Sequence, residues 1–174
     1  MGEVAIVKKK KRPIKTICFG FVLLASSTFF IALAAYKDGV DEYWEGDYEK
    51  ALSKLSQEAE DGDAKAHRYL GHLFYNGKGV TKDLEVAFSH YLEAASMGDS
   101  ISQNQVGVIY EEGKGTSQDL EEAHYWYKRS AEGGSSSAQF NLGLFYKHGK
   151  GSVGVDFEKA AKWFERAAIQ NQYK

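Results

Sequence analysis

Three Gly-Lys-Gly triplets, Gly77-Lys78-Gly79, Gly113-Lys114-Gly115 and Gly149-Lys150-Gly151, are the first candidates for chemistry in this chain. A glycine loop with a lysine cradles phosphates when it stands as Gly-x-x-x-x-Gly-Lys-Ser/Thr between a strand and a helix. That pattern does not occur, and the triplets recur every 36 residues, so they read as helix–helix turns. Five histidines are scattered (His67, His72, His90, His124 and His148), none in the His-x-x-x-His spacing that sets two imidazoles on one helix face for zinc. His67 aligns with Gln103 and Gln139, and His90 with Trp126 and Trp163, which reads as packing. Glu111-Glu112 and Glu121-Glu122 are adjacent residues that diverge on a helix, unlike the facing carboxylates of a glycosidase. Ser135-Ser136-Ser137 suits a helix cap, and no Gly-x-Ser-x-Gly elbow is present. The single cysteine, Cys18, lies in an apolar run without a neighbouring base, and no internal disulfide is possible. No catalytic residue, metal, cofactor or small-molecule substrate is expected.

The elements that position these residues follow from the same 36-residue period. Leu70-Gly71, Val106-Gly107 and Leu142-Gly143 keep it, as do Phe74, Tyr110 and Tyr146. So do Ala87 with Ala123, and Tyr91 with Tyr127. In the last copy one residue is inserted after the glycines, and the pattern resumes at Ala160, Phe164 and Ala168. The register runs backwards too: Asp47, Ala51, Ala59, Gly62 and Asp63 stand 36 residues before Asp83, Ala87, Ala95, Gly98 and Asp99. Each copy reads as two helices, in the first full repeat a helix A at about 64–76 and a helix B at about 84–97. Leu70, Leu73 and Phe74 make an apolar stripe on helix A. Gly71 admits a neighbour closely, the triplet's glycine ends the helix, and Asp83 and Asp119 cap helix B. Ala87 and Ala95 are small where helices cross, with Tyr91 filling the space between them. Eighteen glycines against one proline suit helices joined by glycine turns.

The pattern Ala138-x-x-x-Leu142-Gly143-x-x-Tyr146-x-x-Gly149-x-Gly151, followed by Asp156-x-x-x-Ala160-x-x-Trp163-Phe164-x-x-Ala167-Ala168, resembles the Sel-one-like repeat, a relative of the tetratricopeptide repeat with a longer loop between its helices. The resemblance runs from about Gly39 to Lys174. It implies an all-α solenoid of tandem helix pairs. Two features depart from it: Thr81 and Ser117 stand near the place where family members often have proline, and the cysteine pairs of some secreted members are absent. Residues 37–63 form a preceding half repeat, followed by full repeats at 64–99, 100–135 and 136–174, with Lys37-Asp38-Gly39 as the expected hinge.

Ahead of the repeats, residues 1–15 are basic and 16–36 are uncharged. As a helix, 16–36 would span roughly 30 Å, one hydrocarbon thickness. The basic cluster Lys8–Arg12 precedes it, which places the N-terminus in the cytoplasm and the repeats across the bacterial inner membrane in the periplasm. Ala32-Leu33-Ala34 also fits a signal-peptidase site, which would release a soluble periplasmic protein. Residues 37–174 hold sixteen Lys/Arg against twenty-three Asp/Glu, a net of −7, which disfavours nucleic acid.

What remains is recognition of another protein or peptide. By analogy with tetratricopeptide repeats, the outward-looking positions of the A helices are Lys65, Arg68, His72, Tyr75 and Asn76 in the first repeat. They are Ile101, Asn104, Val108, Glu111 and Glu112 in the second, and Ser137, Phe140, Leu144, Lys147 and His148 in the third. Val108, Phe140 and Leu144 would form an apolar strip suited to a peptide or helix. The resemblance implies a non-enzymatic scaffold or adaptor displayed outside the cytoplasm. The alternatives it implies are an immunity protein that neutralises a secreted lipase-type toxin, and a hydrolase, for which no serine–lysine or metal constellation is present.

Overall fold

The computed structural model describes residues 38–172. The basic segment 1–15 and the expected membrane segment 16–36 lie outside them, and among the described residues no helix is long and apolar enough to cross a membrane. The described chain is all helix: α1 Gly39–Glu45, α2 Tyr48–Glu60, α3 Ala64–Asn76, α4 Leu84–Ser96, α5 Ser100–Glu112, α6 Leu120–Glu132, α7 Ser136–His148 and α8 Phe157–Gln172. Helix A of the first full repeat has the expected bounds. Helix B ends at Ser96, where the Met97 N–H bonds back to Glu93 and Ala95 and closes the turn. Gly39, expected in a hinge, is instead the first residue of α1, where a Cβ would lie 2.6 Å from Leu55 Cγ.

Short polar side chains set where the helices begin. Asp38, Asp47, Asp63, Asp83, Asp99, Asp119 and Ser135 cap α1 to α7 by accepting N–H bonds of the first turn. Each such cap contributes about 1 kcal/mol. Gly77, Gly113 and Gly149 close α3, α5 and α7 at φ of 68°, 67° and 62°, a region that costs a side chain strain. The second glycine of each triplet rests on the start of the preceding B helix. A Cβ on Gly79 would meet Tyr48 at 2.6 Å, and one on Gly115 would meet the Leu84 carbonyl at 2.2 Å. The triplets are therefore joints between consecutive repeats.

Within each repeat one contact recurs. Gly71 lies against the ring of Tyr91, Gly107 against Tyr127 and Gly143 against Phe164, so closely that a Cβ would meet ring carbons at 2.7, 2.7 and 2.6 Å. Tyr91 and Tyr127 are fully buried among Ala87, Ala95, Val106 and Ile109, and among Ala123, Ala131, Ala138 and Leu142. Alanines on the B helices leave the room that the ring takes up. This is the core, repeated along the chain and bounded at the N-terminal side by Val40, Tyr43, Leu55, Leu70 and Leu73.

Gly107→Ala should lower the unfolding free energy by about 1–3 kcal/mol, because the buried ring has no open side to move into. Urea denaturation followed by circular dichroism measures it, and an unchanged midpoint would show that the contact is not tight.

Candidate functional site

The outward positions of the A helices divide into two groups. In the first two repeats most are engaged by the fold itself. The Arg68 guanidinium donates to Asp99 at 3.0 Å, with side chains only 13% and 17% exposed. Asp99 also caps α5, so one carboxylate ties α3 to the start of the next repeat. His72 Nδ1 lies 3.0 Å from the Tyr91 hydroxyl, and Tyr75 stands edge-on to the same ring. Asn104 Oδ1 accepts from Asn141 Nδ2 at 3.0 Å. Val108, expected in the apolar strip, packs half-buried against the core around Tyr127 and Leu142. Glu111 accepts from the Tyr127 hydroxyl at 2.8 Å and pairs with Lys150 of the third triplet. Lys65 is exposed, 4.0 Å from Asp38.

The third repeat differs in two ways: its ring carries no hydroxyl, and no described helix follows α8 to cover it. Phe164 replaces the tyrosine, Leu144 stands where His72 stood, and nothing polar is needed between them. Phe140, 50% exposed, tilts onto Phe164 with ring centroids 5.4 Å apart. Together with Leu144, Lys147, Ala167 and Ala168 they line a cleft of about 820 Å³ between α7 and α8. Of the three residues expected in the apolar strip, the structure brings Phe140 and Leu144 together here. Phe164, assigned to the core by the repeat pattern, is the residue that completes the cleft.

A second juxtaposition was not foreseen. His67 Nδ1 and His90 Nδ1 lie 3.1 Å apart, both half-buried. The two are 23 residues apart on α3 and α4, so no single-helix spacing reveals them. Among the described residues no three His, Cys, Asp or Glu side chains converge as a metal site.

Burial sets the titration of this face. It holds His72 below the usual imidazole range, aided by Arg68 and Lys78, and does the same for His124, aided by Lys128. Burial also pushes the Tyr91 and Tyr127 hydroxyls up.

The Sel1 repeat model matches residues 64–99, 100–135 and 136–172. The chain belongs to the Sel1 repeat family. Its three matched copies coincide with the helix pairs α3/α4, α5/α6 and α7/α8. Among solved structures it is similar to a Sel1 repeat protein from Oxalobacter formigenes, at 32% identity and TM-score 0.69 over 75% of this chain and 54% of that one. It is equally similar to a protective antigen of uropathogenic Escherichia coli with the SLR fold, at 32% identity and TM-score 0.69 over 75% of this chain and 29% of that one. Cysteine rich protein B of Helicobacter pylori shares the fold, at 24% identity and TM-score 0.51 over 68% of this chain and 96% of that one. The chain thus spans about half the length of the first relative and under a third of the second. No curated protein matches it.

The depressed imidazoles make a pH prediction. An unfolded chain takes up protons on His72 and His124 near pH 6.5, roughly the ordinary value, while the folded chain resists them, so stability falls as pH falls. The thermal midpoint should drop between about pH 7.5 and about pH 5.5, and drop less in His72→Gln. A midpoint that rises on acidification would contradict this.

Proposed function

We propose that this Sel1 repeat chain is a non-enzymatic interaction scaffold whose third repeat receives an amphipathic helical segment of a partner protein. The cleft between α7 and α8 carries this reading. It presents Phe140, Leu144 and Phe164 side by side, a set of apolar groups that a helix can fill with residues at i, i+3 and i+4. Lys147 is the charged residue among the described lining, so an acidic residue beside the partner's apolar stripe completes the match. The first two repeats, most of whose outward residues are engaged by the fold, act as the rigid support.

The display site belongs to the same proposal. Residues 16–36 form a single-pass anchor, with the N-terminus cytoplasmic and the repeats periplasmic; the length of the apolar run and the basic cluster before it support this. A second reading, an immunity protein that blocks a secreted lipase-type toxin, is favoured by the net charge of −7 on residues 37–174, which suits a basic partner.

Phe140→Ser with Leu144→Ser should abolish capture of the partner from solubilised membranes, while Lys65→Ser leaves capture intact and circular dichroism stays helical for both. Partners captured equally by all three proteins would sink the cleft as the binding site. Fractionation checks the display site: the full-length chain should sediment with membranes, and its repeats should be cleaved by protease added to spheroplasts. A soluble mature protein beginning near Ala35 would replace the anchor with a cleaved signal.

A further inference from the structure

The repeat supplies its own internal control for His67 and His90. In the second and third repeats the position of His67 is glutamine, and its side chain serves structure. Gln103 Nε2 donates to the Ala95 carbonyl, and Gln139 Nε2 to the Ala131 carbonyl, both at 3.1 Å. The position of His90 is tryptophan in both. Trp126 has a buried Nε1 with no hydrogen-bond partner among the described residues. The fold therefore uses glutamine and tryptophan at these places, and in the second repeat the indole is not hydrogen-bonded to the glutamine. In the first repeat both positions change to imidazole, and the two rings meet. The paired change brings two imidazole nitrogens to one point.

The surroundings hold that point open and approachable. Phe74 stacks on His90 with centroids 5.7 Å apart and planes 16° from parallel, which fixes the ring. Ser56, Ala59 and Glu60 of α2, Leu70 of α3 and the two histidines line a cleft of about 300 Å³. That volume admits an ion with water molecules, each of which takes about 30 Å³ in the liquid. Glu60 puts a negative charge on the rim, which draws cations. Two imidazole nitrogens at about 2.0–2.1 Å from a tetrahedral zinc stand about 3.3 Å apart. The observed 3.1 Å is a hydrogen-bonded contact close to that spacing, and both rings must turn for their Nδ1 lone pairs to converge on the ion.

We propose that His67 and His90 form a binding site for a divalent first-row cation that favours imidazole, with the two Nδ1 atoms as protein ligands and water completing the coordination. On binding, the ring that carries its proton on Nδ1 shifts it to Nε2 and offers the lone pair, so each Nδ1 donates to the ion and each Nε2 keeps an N–H. The ion would join α3 to α4 within the first repeat, far along the chain from the Phe140 cleft, so the two sites fail or stand separately.

The test uses the full chain, free of any affinity tag and stripped with chelator, titrated with Zn²⁺ in a calorimeter. One equivalent should bind, and His67→Gln should weaken it by on the order of tenfold or more, since losing a ligand costs at least as much as losing the hydrogen-bonded support of one. His67→Gln copies Gln103 and Gln139, so it suits this fold. Imidazole ¹⁵N spectra of the unsubstituted chain give a second reading that does not depend on any variant. Zn²⁺ should shift the Nδ1 signals of His67 and His90 and leave His72, His124 and His148 unmoved. Absence of binding, binding unchanged by His67→Gln, or shifts at the other histidines would overturn the proposal.

Discussion

Everything in this molecule hangs on a glycine facing a ring. At Gly71, Gly107 and Gly143 the A helix gives up its side chain so that Tyr91, Tyr127 or Phe164 of the B helix lies flat against its backbone. The ring is too large for an ordinary helix crossing and too small to separate the helices completely, so alanines on either side of it let the pair close. Removing apolar area from water supplies the drive, at roughly 25 cal/mol per Å². The missing Cβ supplies the specificity, since any side chain at that position would overlap the ring. The same contact decides the spacing of the pair, and hence which residues of α3, α5 and α7 face outward.

That contact also explains why the repeats are not equivalent as surfaces. A buried tyrosine needs a partner for its hydroxyl, and the partner must come from the outward rim of the A helix. His72 answers Tyr91 and Glu111 answers Tyr127, and each answer turns a recognition candidate into a structural residue. Phe164 makes no such demand. Its neighbours Phe140 and Leu144 stay apolar, and a cleft results. The lost hydroxyl lets these neighbours stay apolar, and Phe164 is left half-buried because no described helix packs over α8 as α5 packs over Tyr91 and α7 over Tyr127.

The helices were legible in the sequence because their signals are local. Asp63, Asp83 and Gly77 act within a turn of where they stand, and the structure starts and stops α3 and α4 by them. The packing of Gly71 on Tyr91 was legible because the period repeats it. The residues that escaped are those whose roles depend on two helices at once. Val108 looked outward by analogy, yet packs half-buried against the core shared by the second and third repeats. His67 and His90 looked like packing because each was compared with its own column of the repeat; only the pair of columns together shows that both departures fall on facing positions. Phe164 looked like core because its sisters are core, and it is left half-buried because no described helix packs on it as α5 packs on Tyr91 and α7 on Tyr127.

The second glycine of each triplet has a consequence for how such a chain changes length. Gly79 lies on Tyr48 and Gly115 on Leu84, so every repeat carries the latch for the repeat before it and the landing for the repeat after it. A duplication or deletion of one whole unit in the gene would leave a matched latch and landing on both sides of the cut. Chains of this design can therefore grow or shrink by unequal recombination without inventing a new junction, while insertion of a part unit would break two.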